Sequence, residues 1–310
     1  MCVVIFMTLV FPDYYKNFKC IKEKCRHNCC IGWEIDIDEE TLNFYNTVSG
    51  EIGKKLNKNI SANPTPHFIL DKSERCPFLN ESNLCELIIN LGADSLCDIC
   101  TLHPRFENEL PDRTEIGLGL SCEAAAEIII GNTNTVKLIG NIKTDDEIIL
   151  LRDSIIDILQ NRTHTISERI KKMLELCKTD FTYNNNWCDI FLSLERLDNK
   201  WTNILNTLKT GYKTADFQSF DNYMQNRATE YEQFLVYIIY RHFANSIDLE
   251  SAAVKAKFAT LAYSLIYNIG AVLFTQNGDF NFEIQIDIIR MFSSEIEYSD
   301  ENLYDIFDRL

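Results

Sequence analysis

Basic residues are scarce. The 310-residue chain carries 30 Lys and Arg against 46 Asp and Glu, a net charge of −16. Nucleic-acid phosphates and anionic membrane surfaces are bound by clustered Lys and Arg, so the sequence argues against both as partners. The acidic excess is spread along the chain, with 12 basic against 18 acidic side chains in residues 1–122 and 18 against 28 beyond. It reads as a solvated surface. Long hydrophobic runs are also lacking. The N-terminal MCVVIFMTLVF is apolar for about eleven residues, too few for the ~20 of a membrane helix. It has neither the basic n-region nor the cleavage site of a secretory signal. A buried β-strand fits it better, or Met7 as the true initiator, and the protein reads as cytoplasmic. Proline is absent from most of the chain. All six (Pro12, Pro64, Pro66, Pro77, Pro104, Pro111) fall in the first 111 residues. Proline interrupts helices and sheet interiors, so that part is expected to be loop-rich and the remainder free to form long helices. No internal repeat, low-complexity tract or Gly/Ser linker is present.

What the sequence has is cysteine, twelve in all, nine of them between Cys20 and Cys122. A reducing compartment keeps thiols free, so a dense pattern there points to metal or catalysis. The spacings are C-x4-C-x3-C-C for Cys20, Cys25, Cys29 and Cys30, then Cys76-x8-Cys85-x11-Cys97-x2-Cys100, then Cys122. A zinc ribbon needs two C-x2-C knuckles, and Cys97–Cys100 alone has that spacing. The ferredoxin run C-x2-C-x2-C-x3-C-P is absent. The radical signature C-x3-C-x2-C fails at its third place, where Gly32 stands. Thiolate ligands favour iron–sulfur or zinc over hard cations. Adjacent Cys29 and Cys30 point to two centres, or to one ligand with a thiol beside it.

Periodicity predicts a mainly α fold: a loop-rich, cysteine-rich metal-binding N-terminal module with a few short strands (residues 1–130), packed on a helical C-terminal region (residues 131–310). Gly32–Asp38 alternates like a short strand. Residues 38–60 read as a helix capped by Asp38, Gly92 as a helix stop, and RTEIGLGLSC as a strand leading into the helix CEAAAEIIIG. Residues 178–189 and 213–222 read as loops or openings.

The motifs YYKNFKCIKEKCRHNCCIGWEIDID, RCPFLNESNLCEL, DICTLHPRF and LSCEAAAEII, in that order, resemble the flagellin lysine-N-methylase family. More distantly they resemble small cysteine-rich zinc- or iron-chelating proteins. EQFLVYIIYRHF and AKFATLAYSLI extend the likeness into the helical half. The resemblance implies metal ligands at Cys20, Cys25, Cys29, Cys30, Cys76, Cys85, Cys100 and Cys122. Cys97 stands where the family pattern has another residue. The centre implied is an iron–sulfur cluster, [4Fe–4S], with zinc as the alternative.

The activity implied is methyl transfer from S-adenosylmethionine to flagellin lysine ε-amino groups. That displacement needs a neutral amine, in-line alignment and desolvation, and no redox step. The Gly-rich turn of a Rossmann donor site is missing, and GLGLSCE (Gly117–Glu123) is a weak echo of it. The alternative is a non-enzymatic zinc- or iron-binding protein or an adaptor. Catalytic and donor-binding residues are not read from the sequence. Arg105, His103, His27, Tyr14, Tyr15, Trp33 and Arg241 have suitable chemistry, but ion pairs, hydrogen-bonded imidazoles and core aromatics are the ordinary roles for such residues.

Overall fold

The structure is a computed structural model that describes residues 8–140 and 143–310. Beyond residue 111 no proline interrupts the chain, and helices follow one another: Glu147–Leu159, Ile166–Leu176, Asn199–Gly211, Ala228–His242, Leu249–Asn277 and Phe282–Phe292 are the longest. Their starts obey local capping chemistry. Thr165 and Glu168 form a reciprocal capping box, and so do Asp248 and Ser251, each satisfying backbone N–H groups that the first turn leaves open. The mainly α expectation is met.

The chain divides into two compact units that are interleaved along the sequence. One comprises Lys19–Arg105 and Cys122–Ala124, and the other Met1–Phe18, Phe106–Ser121 and Ala125–Leu310. The boundary expected near residue 130 is a single cut; the observed units exchange chain four times.

In the helical unit, Leu249–Asn277 runs against Ala228–His242 and Asn199–Gly211. Ala252, Ala256, Ala259 and Ala262, spaced three or four apart, are fully buried on it and let its neighbours approach closely. By length and composition this helix is apolar enough to cross a membrane, yet two thirds of its most apolar window is buried inside the fold. Its own Phe258 and, on its neighbours, Trp201, Phe234, Phe243 and Phe292 are buried, each contributing roughly 1.5–3 kcal/mol of hydrophobic burial.

The same unit holds a four-stranded sheet in the order β4-β5-β1-β6. Its strands are β1 (Thr8–Pro12), β4 (Arg105–Glu109), β5 (Arg113–Leu118) and β6 (Leu138–Ile139). β1 pairs parallel to β5, Val10 opposite Glu115, and antiparallel to β6, Phe11 opposite Ile139. The strand expected at the N-terminus is therefore present from Thr8; residues 1–7 lie outside the described residues.

The cysteine unit has a smaller core of Ile35, Ile37, Tyr45, Leu56, Phe68, Phe78 and Leu87 together with Cys76 and Cys97. Its regular elements are short, with β2 (Ile60–Ser61) and β3 (His67–Phe68) as an antiparallel pair. Gly32–Asp38 is extended, and Ile35 and Ile37 are buried on alternate positions as expected. It forms single bridges, Ile31 to Arg75 and Asp36 to His67, in place of a strand. The helix expected over residues 38–60 is two helices, Glu39–Thr47 and Gly50–Asn59. The break lies at Val48–Ser49, and Gly50 has φ +79°, a conformation costly for residues with a Cβ.

Candidate functional site

The cysteines reach one another through backbone pairing. The Cys76 amide donates to the Cys30 carbonyl at 2.8 Å, and Leu79 bridges to Cys85, so three segments converge. A fourth is brought in by Asp38. One carboxylate oxygen accepts from the Thr41 amide at 2.8 Å, and the other accepts from the Asp98 amide at 3.0 Å. Tyr45 donates its hydroxyl to the Ser95 carbonyl at 2.8 Å, which steadies the turn before Cys97.

The result is a group of thiols at Cys30, Cys76, Cys85, Cys97 and Cys100, close enough to perturb one another's ionisation. Burial pushes the Cys76 thiol up to about 11. Within Cys97–Cys100 a thiol hydrogen bond favours the thiolate at Cys97 and the protonated thiol at Cys100. Cys29 and Cys30 divide in the same way, Cys29 shifted down by the bond from Cys30 and Cys30 shifted up. Mutual repulsion among gathered thiolates is what a bound cation relieves.

A second group surrounds Cys25, with Glu123, Cys122 and Cys29 as its neighbours; burial pushes the Cys25 thiol up to about 12. Its framework is Glu123, which is buried. The Glu123 carboxylate accepts from the Arg26 amide at 2.9 Å, from Arg26 Nε at 2.6 Å and from the His27 amide at 3.3 Å; the Cys25 thiol lies at 3.6 Å. Burial acts to raise the pKa of Glu123, but the Arg26 bonds outweigh it and hold the carboxyl below its ordinary range.

Among the described residues eleven cysteines are free thiols. The residues fit a thiolate-bound metal by donor chemistry. Among the described residues no three His, Cys, Asp or Glu side chains stand at metal-holding distances. Of the eight cysteines that the resemblance marked, Cys30, Cys76, Cys85 and Cys100 fall in the first group, and Cys25, Cys29 and Cys122 in or beside the second. Cys20 is exposed and joins neither. Two further residues stand with these groups. Cys97, which the family pattern leaves open, shares a turn with Cys100 through its C-x2-C spacing. Glu123 directly follows Cys122, and its place after that cysteine is the one signal the sequence offers for it.

The other candidates take structural roles. Burial and Arg105 push His103 down to about 4, so its imidazole is neutral at pH 7. Tyr14 is buried, and Trp33 is half-buried. Arg241 lies in the helical unit between the rings of Phe106 and Tyr298, 5.0 and 4.7 Å from their centroids, and donates to the Tyr237 hydroxyl at 2.7 Å. Tyr237 donates to Glu297 at 3.1 Å, and His242 Nε2 lies 2.7 Å from the same carboxylate. A Cβ on Gly119 would stand 2.0 Å from the Tyr298 hydroxyl, so GLGLSCE serves close packing here.

Comparison with known proteins meets the cysteine motifs from the other end of the chain. Residues 178–310 match the FliB lysine N-methylase C-terminal domain. The chain is 26% identical over 143 residues to lysine-N-methylases of Salmonella choleraesuis (strain SC-B67) and Salmonella typhimurium (strain LT2), covering 43% of this chain and 35% of each relative. It is 25% identical to the flagellar biosynthetic protein FliU of Salmonella muenchen, covering 43% of this chain and 82% of that protein. The matched part thus spans about a third (35%) of the length of the two lysine-N-methylases. No solved structure matches. With the motif order of the cysteine-rich part, these matches make the chain similar to the flagellin lysine N-methylase family in both halves.

Proposed function

We propose that the chain is a protein lysine N-methylase, acting in the cytoplasm, that moves a methyl group from S-adenosylmethionine to ε-amino groups of flagellin lysines. The observation that carries this reading is the match of residues 178–310 to the FliB lysine N-methylase C-terminal domain. The name of the FliU relative supports a flagellar substrate. In the reaction the lysine nitrogen forms a bond to the methyl carbon as the carbon–sulfur bond breaks. S-adenosylhomocysteine leaves, and the amine gives up a proton. The protein's part is to hold the amine neutral, aligned and away from water.

The converged thiols support a resident iron–sulfur centre, [4Fe–4S], with zinc as the alternative. Four of Cys30, Cys76, Cys85, Cys97 and Cys100 would hold it, and Cys25, Cys29 and Cys122 would serve a second centre or flank the first. Such a centre, when bound, supplies a rigid cross-link to a unit whose apolar core is small.

The test is anaerobic purification with iron, sulfide and zinc analysis, followed by incubation with flagellin and S-adenosylmethionine and mass spectrometry of the flagellin. Added methyl mass on lysine, dependent on the donor, is expected. Bound metal with metal-dependent folding but no methyl mass would overturn the enzyme reading in favour of a non-enzymatic metal-binding protein.

A further inference from the structure

The helical unit contains a pocket of about 330 Å³, within the size range of small-ligand sites. Its walls come from separate stretches of chain. Tyr183 follows the helix Ile166–Leu176, Tyr212 ends Asn199–Gly211, Asp221 lies on Phe217–Met224, and Tyr263, Tyr267 and Asn268 lie on Leu249–Asn277. The helical spacing of 263 and 267 puts both rings on one face, their centroids 5.8 Å apart. Tyr267 donates its hydroxyl to Asp221 at 2.6 Å. Tyr231 stands edge-on to Tyr263 at 5.3 Å, and its buried hydroxyl has no hydrogen-bond partner among the described residues.

The chemistry of the lining is one-sided. It has four tyrosines, one carboxylate, and hydroxyls and an amide, and among the described residues no Lys or Arg. Burial and the neighbouring Asp221 both disfavour ionising Tyr263, so the rings stay neutral phenols. Neutral aromatic rings attract an onium group, and the one carboxylate repels anions. A zwitterionic donor such as S-adenosylmethionine would bring a carboxylate that finds no positive partner here. A lysine within a protein brings a single charge, its ε-ammonium, on an apolar stem suited to ring contact. Apart from Ser167, the lining residues lie within the stretch matched to the methylase C-terminal domain, residues 178–310.

We propose that this pocket seats the side chain of the substrate lysine, its ε-nitrogen toward Asp221 and its stem along the tyrosine rings. The choice of lysine rests on the methylase reading; the preference for an onium cation rests on the lining alone.

The test titrates the full chain, with ¹³C-labelled tyrosine, against Nα-acetyl-lysine amide, its ε-trimethyl form, Nα-acetyl-norleucine amide and S-adenosylmethionine. Single Tyr→Phe variants assign the ring resonances. Both lysine amides are expected to move the Tyr263 and Tyr267 resonances, and norleucine amide to leave them in place. Asp221→Asn, on an exposed side chain, is expected to weaken both lysine amides about tenfold and to raise the KM for flagellin similarly with a smaller change in kcat. Equal binding of norleucine amide, movement of these rings by S-adenosylmethionine alone, or silence toward every probe would overturn the proposal. The two readings fail separately. Wild-type methylation with an unchanged KM in Asp221→Asn removes the pocket and leaves the methylase. Binding of lysine amides without methyl transfer to flagellin removes the methylase and leaves a lysine-binding pocket.

Discussion

The two units of this chain solve the same problem with different chemistry. The helical unit buries aromatic rings by the dozen and gathers buried charges into paired sets. Glu115, fully buried, is met by Arg113 Nε at 2.9 Å and by Arg152 Nη2 at 3.1 Å. Glu232 is met by Arg162 and by Arg169, the latter at 2.7 Å. The cysteine unit has few large apolar side chains and places thiols where a larger domain would place Leu or Ile, with Cys76 and Cys97 in its core and Cys30, Cys85 and Cys100 against it. A small unit buries proportionally less surface and more often depends on a staple. The contrast teaches that the helical unit closes its core with apolar and ion-paired side chains, whereas the cysteine unit fills its core partly with thiols.

The largest expected effect separates the two directly. If the thiols hold a structural metal, its removal by a chelator under reducing conditions costs the cysteine unit on the order of 10 kcal/mol and the helical unit little. Hydrogen exchange is expected to show lost protection in Glu39–Thr47 and Gly50–Asn59 while Leu249–Asn277 stays protected. Uniform loss, or none, would break the contrast. The next effect lies in the helical unit. Glu115→Ala leaves Arg113 buried without this carboxylate and Arg152 with Asp153 alone, and is expected to cost roughly 3–5 kcal/mol, read by urea unfolding of the full chain. A loss below about 1 kcal/mol would mean that this buried set behaves as a surface pair.

The smallest concerns acid. His103 has a folded pKa of about 4 against an ordinary 6.5, so the unfolded chain binds more protons between those values. Its contribution is present in full above pH 6.5 and is lost as pH falls toward 4, by about 3 kcal/mol at most. His103→Asn is expected to flatten that slope in the pH dependence of unfolding. An unchanged slope would assign the acid sensitivity to other groups, the buried His242–Glu297 pair among them.

Local chemistry was legible in the sequence. Asp38 caps the helix it was expected to cap, Gly92 ends Glu86–Leu91, and Arg113–Leu118 is a strand, because capping, left-handed turns and alternation depend on residues a few positions apart. The break at Val48–Ser49 was not legible. The helix-forming residues on both sides hid a turn that the unit's packing imposes, and residues 213–222, read as a loop or opening, contribute a helix from Phe217. The density of cysteine was enough to raise a metal centre. It was not enough to say which thiols meet, since Cys30 and Cys76 are joined by a backbone hydrogen bond across 46 positions.

By itself the sequence determined the helical class, the gathering of nine cysteines between Cys20 and Cys122 and, through their motifs, a likeness to a methylase family. Composition, periodicity and short spacings carry those, and none requires distant contacts. Tertiary structure alone decided that Cys97 joins the thiol group, that Glu123 clamps the loop after Cys25, that β1 pairs with β5 a hundred positions away, and that four scattered tyrosines share one wall with Asp221. Each of these is a meeting of side chains or strands remote in sequence. Which of the many such meetings occurs is set by the packing of the whole unit and not by any local preference.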